Sequence, residues 1–157
     1  MSETITYRPL ESKDLMLLLE WTNEPETRLN SFNTNQITLK EHTAWFNKTI
    51  QNPNAVYFIC QVNKIAVGLV RFDKNENYTT VGINISSVFR GQGLSSTFLK
   101  DCSQLYFLKN SLIINAFIKP QNVASIKAFE KAGYSFLKET EIKNAKAVVY
   151  KLEKNEQ

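Results

Sequence analysis

The stretch Ile83-Asn84-Ile85-Ser86-Ser87-Val88-Phe89-Arg90-Gly91-Gln92-Gly93-Leu94-Ser95-Ser96 carries the sharpest chemical signal in the sequence. An alternating apolar run leads into a glycine-bearing turn, and the turn leads into a stretch of helical period. Such a turn lets successive backbone N–H groups converge on one point beside the positive end of a helix dipole, a seat for phosphate or pyrophosphate. Gly91 and Gly93 permit close backbone approach, while Ser95 and Ser96 add hydroxyls and Arg90 adds charge. A lone Gly-x-Gly also serves as a plain tight connection, so the motif alone leaves both uses open. The Gly-Lys-Ser/Thr ending of a P-loop is missing, as is the third glycine of a dinucleotide fingerprint.

The elements that must position this turn can be read from periodicity. Residues 4–10 alternate as a first strand, and Ser12 caps a helical stretch bearing Leu15, Leu18, Leu19 and Trp21. Thr22 to Gln36, rich in Asn, Thr and Glu, reads as a loop with one helical turn. The capping box Thr38-Leu39-Lys40-Glu41 opens a helix with Ala44, Trp45, Phe46 and Ile50, which Asn52-Pro53-Asn54 stops. Val56, Phe58, Cys60 and Val62 share one face of a strand, followed after Asn63-Lys64 by Ile65–Phe72 and after a polar turn by Thr80–Ser86. Their short connections imply an antiparallel meander.

Gly93 to Lys109 then shows Leu94, Phe98, Cys102 and Leu105 at helical spacing. A buried strand (Leu112–Ile118), a helix from Asn122 to Ala132 closed by Gly133, and strands over Tyr134–Ile142 and Ala147–Leu152 complete the chain. The order β-α-α-β-β-β-α-β-α-β-β is that of an α/β protein with a mixed sheet and helices packed on it. One domain is expected over 1–152, with a frayed tail over 153–157.

Composition narrows the function classes. With 157 residues, 43% hydrophobic and 22% charged, the chain is of ordinary globular make-up. A net charge of +4 suits an anionic ligand, but the 19 Lys and Arg are scattered, which argues against a nucleic-acid partner. Cys60 and Cys102 sit in apolar periodic segments and read as buried thiols, with no pattern for a disulfide framework or a metal. No charged leader precedes an apolar run and no long apolar stretch occurs, so a cytoplasmic protein without a membrane partner is expected.

The turn and a second motif together resemble the GNAT superfamily of N-acetyltransferases. Arg90-Gly91-Gln92-Gly93-Leu94-Ser95 is similar to its Arg/Gln-x-x-Gly-x-Gly/Ala signature, with Ser95 at the final small position. About thirty residues on, Asn122 opens a helix that ends Lys131-Ala132-Gly133-Tyr134, like the family's second signature. The resemblance covers essentially the whole chain. It implies a splayed central sheet and acetyl-CoA as cosubstrate, with no metal. Backbone around Ile85 would hold the pantetheine arm, the segment Arg90, Gly91, Gln92, Gly93, Leu94, Ser95 and Ser96 the pyrophosphate, and Asn122 and Phe129 the cofactor near the thioester. The family often places a tyrosine at the Phe129 position to protonate the leaving thiolate; phenylalanine cannot, so another group or water would do so.

The acceptor must be read from the first third of the chain. Trp21-Thr22-Asn23-Glu24, then Arg28, then a helix with His42 and Trp45-Phe46 resembles the amino-sugar acetyltransferases of the pseudaminic-acid pathway. That likeness implies a UDP-linked amino sugar as acceptor, with Arg28 and His42 on the nucleotide and Phe32 and Phe46 around the sugar. His42 is also the one candidate for a catalytic base. The residue types alone read Trp21, Trp45 and Phe46 as core, Arg28 equally as a surface charge and His42 equally as a solvent-facing helix residue. A protein N-terminal acetyltransferase, a polyamine or antibiotic acetyltransferase and a non-catalytic acetyl-CoA-binding module remain open, as do monomer and homodimer.

Overall fold

In the computed structural model, which describes residues 3–155, the chain runs β1 (Ile5–Pro9), α1 (Leu15–Thr22), α2 (Pro25–Asn30), α3 (Leu39–Ile50), β2 (Ala55–Val62), β3 (Ile65–Lys74), β4 (Thr79–Ile85), α4 (Leu94–Phe107), β5 (Ile114–Ile118), α5 (Val123–Lys131), β6 (Ser135–Ile142) and β7 (Ala145–Leu152). The expected tail at 153–157 lies partly outside the described residues. Seven strands form one sheet in the order β1-β2-β3-β4-β5-β7-β6. The meander β2-β3-β4 is antiparallel, as its short turns require, and only β4 and β5 run parallel. Asn63 and Lys64, and again Lys143 and Asn144, hold positive φ in the two-residue hairpin turns that join β2 to β3 and β6 to β7.

Helices cover both faces of this sheet. On one, Phe98, Leu99, Cys102 and Tyr106 of α4 and Phe129 of α5 pack against Val70, Phe72, Ile114 and Ala116. On the other, Leu18 and Trp21 of α1 and Phe46 of α3 pack against Tyr57, Ile59 and Leu69. Both cysteines are buried in the first core as neighbouring free thiols, with no disulfide between them.

Two local readings need correction. The segment 22–36, expected as a loop with one turn, contains the separate helix α2, started by Pro25 at its first position, where proline's missing N–H costs nothing. Ser12 does not cap α1. A short 3-10 turn over Ser12–Asp14 precedes it, organised by Asp14, whose carboxylate accepts from the Glu11 amide at 2.8 Å and from both terminal nitrogens of Arg8 at 2.8 Å.

Asp14 is only 2% exposed, so this two-pronged pair ties β1 to the start of α1 without help from water. Burial raises the Asp14 pKa, but the Arg8 fork and the Glu11 amide outweigh it and the net shift is downward. A lowered carboxylate pKa stabilises the fold above the unfolded-state value and is lost as pH falls through the folded one. Arg8→Ala leaves the carboxylate buried and unpaired, at a cost on the order of 3 kcal/mol. Thermal melts at neutral pH should show a drop of roughly 6–12 °C, and the gap between variant and wild type should close as Asp14 becomes protonated in acid.

Candidate active site

Strands β4 and β5 pair at two positions, Thr79↔Ile114 and Thr80↔Asn115, and then part. On its other edge β4 stays paired with β3 along its whole length, from Lys74↔Thr79 to Gly68↔Ile85. The Thr79 amide donates across the closed end to the Ile113 carbonyl at 2.8 Å. By strand alternation the amides of Val81, Ile83 and Ile85 face the same way; Val81 lies beside the last pairing with β5, and those of Ile83 and Ile85 face the opening. The closed end is clamped by Tyr106, whose hydroxyl pairs with Thr79 Oγ1 at 2.8 Å while its ring stacks on Phe72 at 4.5 Å.

The opening is part of a cavity of about 980 Å³. One end is formed by the turn after β4. Gly91 and Gly93 hold φ of +78° and +75°, and a Cβ built on either meets nothing within 4 Å. Gly93 is the left-handed N-cap of α4, so the first amides of a 14-residue helix face that open space. Gly91, Gly93, Leu94 and Ser95 line the cavity, with Ile85, Asn122 and Phe129; Gln92 and Ser96 do not. Asn122 caps α5 by accepting from the Ser125 amide at 3.2 Å, which leaves its amide group free to donate.

Arg90 has a different set of contacts from the phosphate role read in sequence. Its terminal nitrogens reach α2, donating to Glu26 Oε2 at 3.0 Å and Thr27 Oγ1 at 2.8 Å. Glu24 accepts from the Ser87 amide at 2.9 Å, a second strap between α2 and the turn. The donors that the turn leaves toward the cavity are therefore backbone amides and the Ser95 hydroxyl.

Phe129 is 3% exposed, edge-on to Tyr134 at 5.0 Å, and lines the cavity near the split. Among the described residues no tyrosine lines the cavity. The nearby Tyr134 hydroxyl is pushed up in pKa by burial and bonded to Ser103 at 2.8 Å, so it is no substitute acid. Ser125, one helical turn before Phe129 on the same face, brings a hydroxyl to the cavity wall.

The acceptor half is built by α1, α2, α3 and the loop 31–38. Arg28, Phe32 and His42 line it. Arg28 holds the loop: it donates to the carbonyls of Thr22 (2.8 Å), Asn33 (2.7 Å) and Asn35 (3.0 Å) and to Ser31 Oγ (3.1 Å). His42 is 2% exposed, not solvent-facing, and its Nε2 donates to the Leu15 carbonyl at 2.8 Å, pinning α3 to α1. Phe46, expected around the sugar, is instead a core residue, 2% exposed and packed with Leu18 and Trp21. Helical geometry explains this: Trp45, a residue earlier, is turned toward the cavity, while Phe46 shares the sheet-facing side. Sequence reading missed Trp45 as lining, and also Arg71 and Asn84, which alternate onto the acceptor face of β3 and β4. The signal for Arg71 was Gly82, a strand glycine of the kind that marks close approach.

No group of three or more His, Cys, Asp or Glu among the described residues is placed to hold a metal ion, and no helix among them is long and apolar enough to cross a membrane.

Comparison with known proteins agrees with this geometry. Residues 4–135 match the acetyltransferase (GNAT) domain family. The chain belongs to that family, as an N-acetyltransferase with acetyl-CoA as its cosubstrate. No curated protein matches it at the level of sequence. Its fold is similar to that of the aminoglycoside acetyltransferase AAC(6')-Ib in complex with coenzyme A and kanamycin, at TM-score 0.81 and 17% identity over 96% of this chain and 95% of that one. It is similar also to spermidine N-acetyltransferase from Vibrio cholerae with CoA and spermine, at TM-score 0.79 and 18% identity over 94% and 92%. A putative phosphinothricin N-acetyltransferase gives TM-score 0.80 and 20% identity over 98% and 100%.

Gly93→Val should strain a left-handed backbone by about 1–2 kcal/mol and fill the open space before α4. Calorimetry on the folded variant should show acetyl-CoA affinity reduced at least about tenfold; unchanged affinity would remove the turn from the cofactor site.

Proposed function

We propose that the chain acetylates a primary amine on a small molecule that also carries negative charge, a nucleotide-linked amino sugar. The open amides of Ile83 and Ile85 would hold the pantetheine arm as a missing strand, and the amides after Gly91 and Gly93 would take the pyrophosphate. Bound there, acetyl-CoA supplies an activated thioester carbonyl. A β4 amide near Ile85 would stabilise negative charge developing on the carbonyl oxygen. The amine must be neutral to attack, so a proton has to leave it, directly or through water. His42 is the imidazole of the acceptor wall; with Nε2–H committed to Leu15, a neutral ring keeps its lone pair on Nδ1. The proton released by the amine would reach the thiolate through water, with the Ser125 hydroxyl at most a hydrogen-bond donor to the sulfur; the thiolate leaves tolerably unaided, a free thiol having a pKa of roughly 8.5.

The observation that carries the choice of acceptor is the state of the cavity's carboxylates. Glu26 is paired with Arg90, and Glu41 accepts from the Thr38 hydroxyl at its helix cap, 2.9 Å away. Of these two only Glu41 lacks a cationic partner, whereas Arg28 and Arg71 both stand on the wall without an ion pair among the described residues. An acceptor with an anionic portion suits that balance better.

A thiol-release assay with UDP-amino sugars, spermidine, kanamycin and peptides tests this. Turnover should be highest with the sugar nucleotides and poor with the same sugars lacking the nucleotide. Turnover of spermidine or a peptide, with none of the sugars, would overturn the acceptor and leave the family assignment standing.

Phe129→Tyr should keep the fold and match or exceed wild-type kcat, with an altered basic limb in the pH–rate profile from the added acid. An inactive variant that binds acetyl-CoA normally would move Phe129 away from the sulfur.

A further inference from the structure

We propose that Arg71 is the anion-binding residue of the acceptor half, gripping a phosphate group of the amine-bearing substrate. The inference rests on the acceptor reading above and adds the side chain that selects for charge.

Of the four arginines in the chain, Arg28, Arg71 and Arg90 line the cavity. Arg8 and Arg90 have carboxylate partners, Asp14 and Glu26, at 2.8 and 3.0 Å. Arg71 forms no ion pair among the described residues. Its nearest acid along the strand face is Asp73, and both oxygens of that carboxylate accept from the Tyr57 hydroxyl, at 2.9 and 3.1 Å.

The direction of the side chain is set by the sheet. Arg71 lies opposite Gly82 in the β3–β4 register. A Cβ on Gly82 would come within 2.8 Å of Arg71 Nε and 3.4 Å of its Cγ. The side chain therefore crosses β4 through space that only a glycine leaves open, reaching from β3 toward the split. An exposed arginine with several free rotamers elsewhere on a sheet has no such guide.

Arg28 supports the same conclusion. Four of its five N–H groups are spent on the loop, so it contributes charge but no free fork. Its pKa is lowered, first by burial and then by the positive charge of Arg71. Two guanidiniums that repel each other, with no carboxylate between them, on the wall of a cavity, are balanced by an anion that arrives with a ligand. Arg71 lies beside the Tyr57 hydroxyl but is held by no carboxylate among the described residues, and its planar donor set matches two phosphate oxygens at once.

The test uses the full chain saturated with coenzyme A, so that the cofactor's phosphate seat is filled, and titrates UDP by calorimetry. Arg71→Ala should weaken UDP by about 10- to 100-fold and leave coenzyme A affinity at the wild-type value. Gly82→Ala keeps the arginine but displaces it, and should weaken UDP in the same direction by a smaller factor. In turnover, Arg71→Ala should lower kcat/KM for a UDP-amino sugar relative to the same sugar without its nucleotide. Equal UDP binding by wild type and Arg71→Ala, or no UDP binding by the wild type, overturns the assignment. If the wild type binds UDP through Arg71 yet turns over no UDP-amino sugar, the proposed acceptor falls and the Arg71 site stands. If both proteins turn over the sugar nucleotide equally, Arg71 falls and the acceptor stands.

Discussion

Beyond its last pairing with β5 at Thr80↔Asn115, strand β4 keeps a hydrogen-bonded partner on one edge as far as Ile85 and has none on the other. An unmet buried N–H or C=O costs about 1–3 kcal/mol, so a sheet does not open in its middle without something to hold it open. Here the holding is done from both sides. Seven residue pairs fasten β4 to β3 and five fasten β5 to β7, so each arm of the opening belongs to its own rigid half-sheet. Tyr106, wedged against Phe72 and bonded to Thr79, fixes the closed end. What enters the opening therefore meets a fixed row of backbone donors and acceptors, and ordering them has already been done by folding.

The short helix α2 spans the mouth of the opening. On the β4 side, Thr27 Oγ1 donates to Asn84 Oδ1 at 3.2 Å, and Arg90 reaches Glu26 and Thr27. On the β5 side, Lys119 Nζ donates to the Leu29 carbonyl at 2.9 Å. None of the residues in α2 is buried, so it has no core of its own to fix its position. Its place is set by polar straps to the cofactor turn, to β4 and to the strand end after β5. A change in the turn at Arg90 is thus felt by the element that carries Arg28, which in turn shapes the acceptor loop.

Most of the fold was legible because the signals were local. The capping box at Thr38, the stop at Asn52-Pro53 and the glycine at 133 each act within a few residues of themselves. The backbone conformation at Gly91 and Gly93 was legible for the same reason: a left-handed turn before a helix demands glycine whatever lies elsewhere. The role of Asp14 was not, because a buried acid is recognisable only beside Arg8, on a different element. Arg28 and Arg90 look alike in sequence as mobile cations, and only the folded chain shows one spent on carbonyls and the other on Glu26. Phe46 and Trp45 are neighbours in sequence, separated in fate by the 100° between successive helix positions.

A division of labour follows from these differences. The half proposed for the cofactor offers main chain: unpaired strand amides, two glycines and a helix start, all of which survive wide exchange of side chains. The half proposed for the acceptor offers side chains on β3 and β4 and on α1 to α3, where charge can change without disturbing the opening. The resemblance to a superfamily could accordingly be carried by a few turn residues, while the acceptor depends on pairings spread from Glu24 to Arg90. In this chain the cavity carboxylate Glu26 is tied up by Arg90, while Arg28 and Arg71 form no ion pair among the described residues. The balance was set by where the partners of those charges lie, which no count of lysines and glutamates reveals.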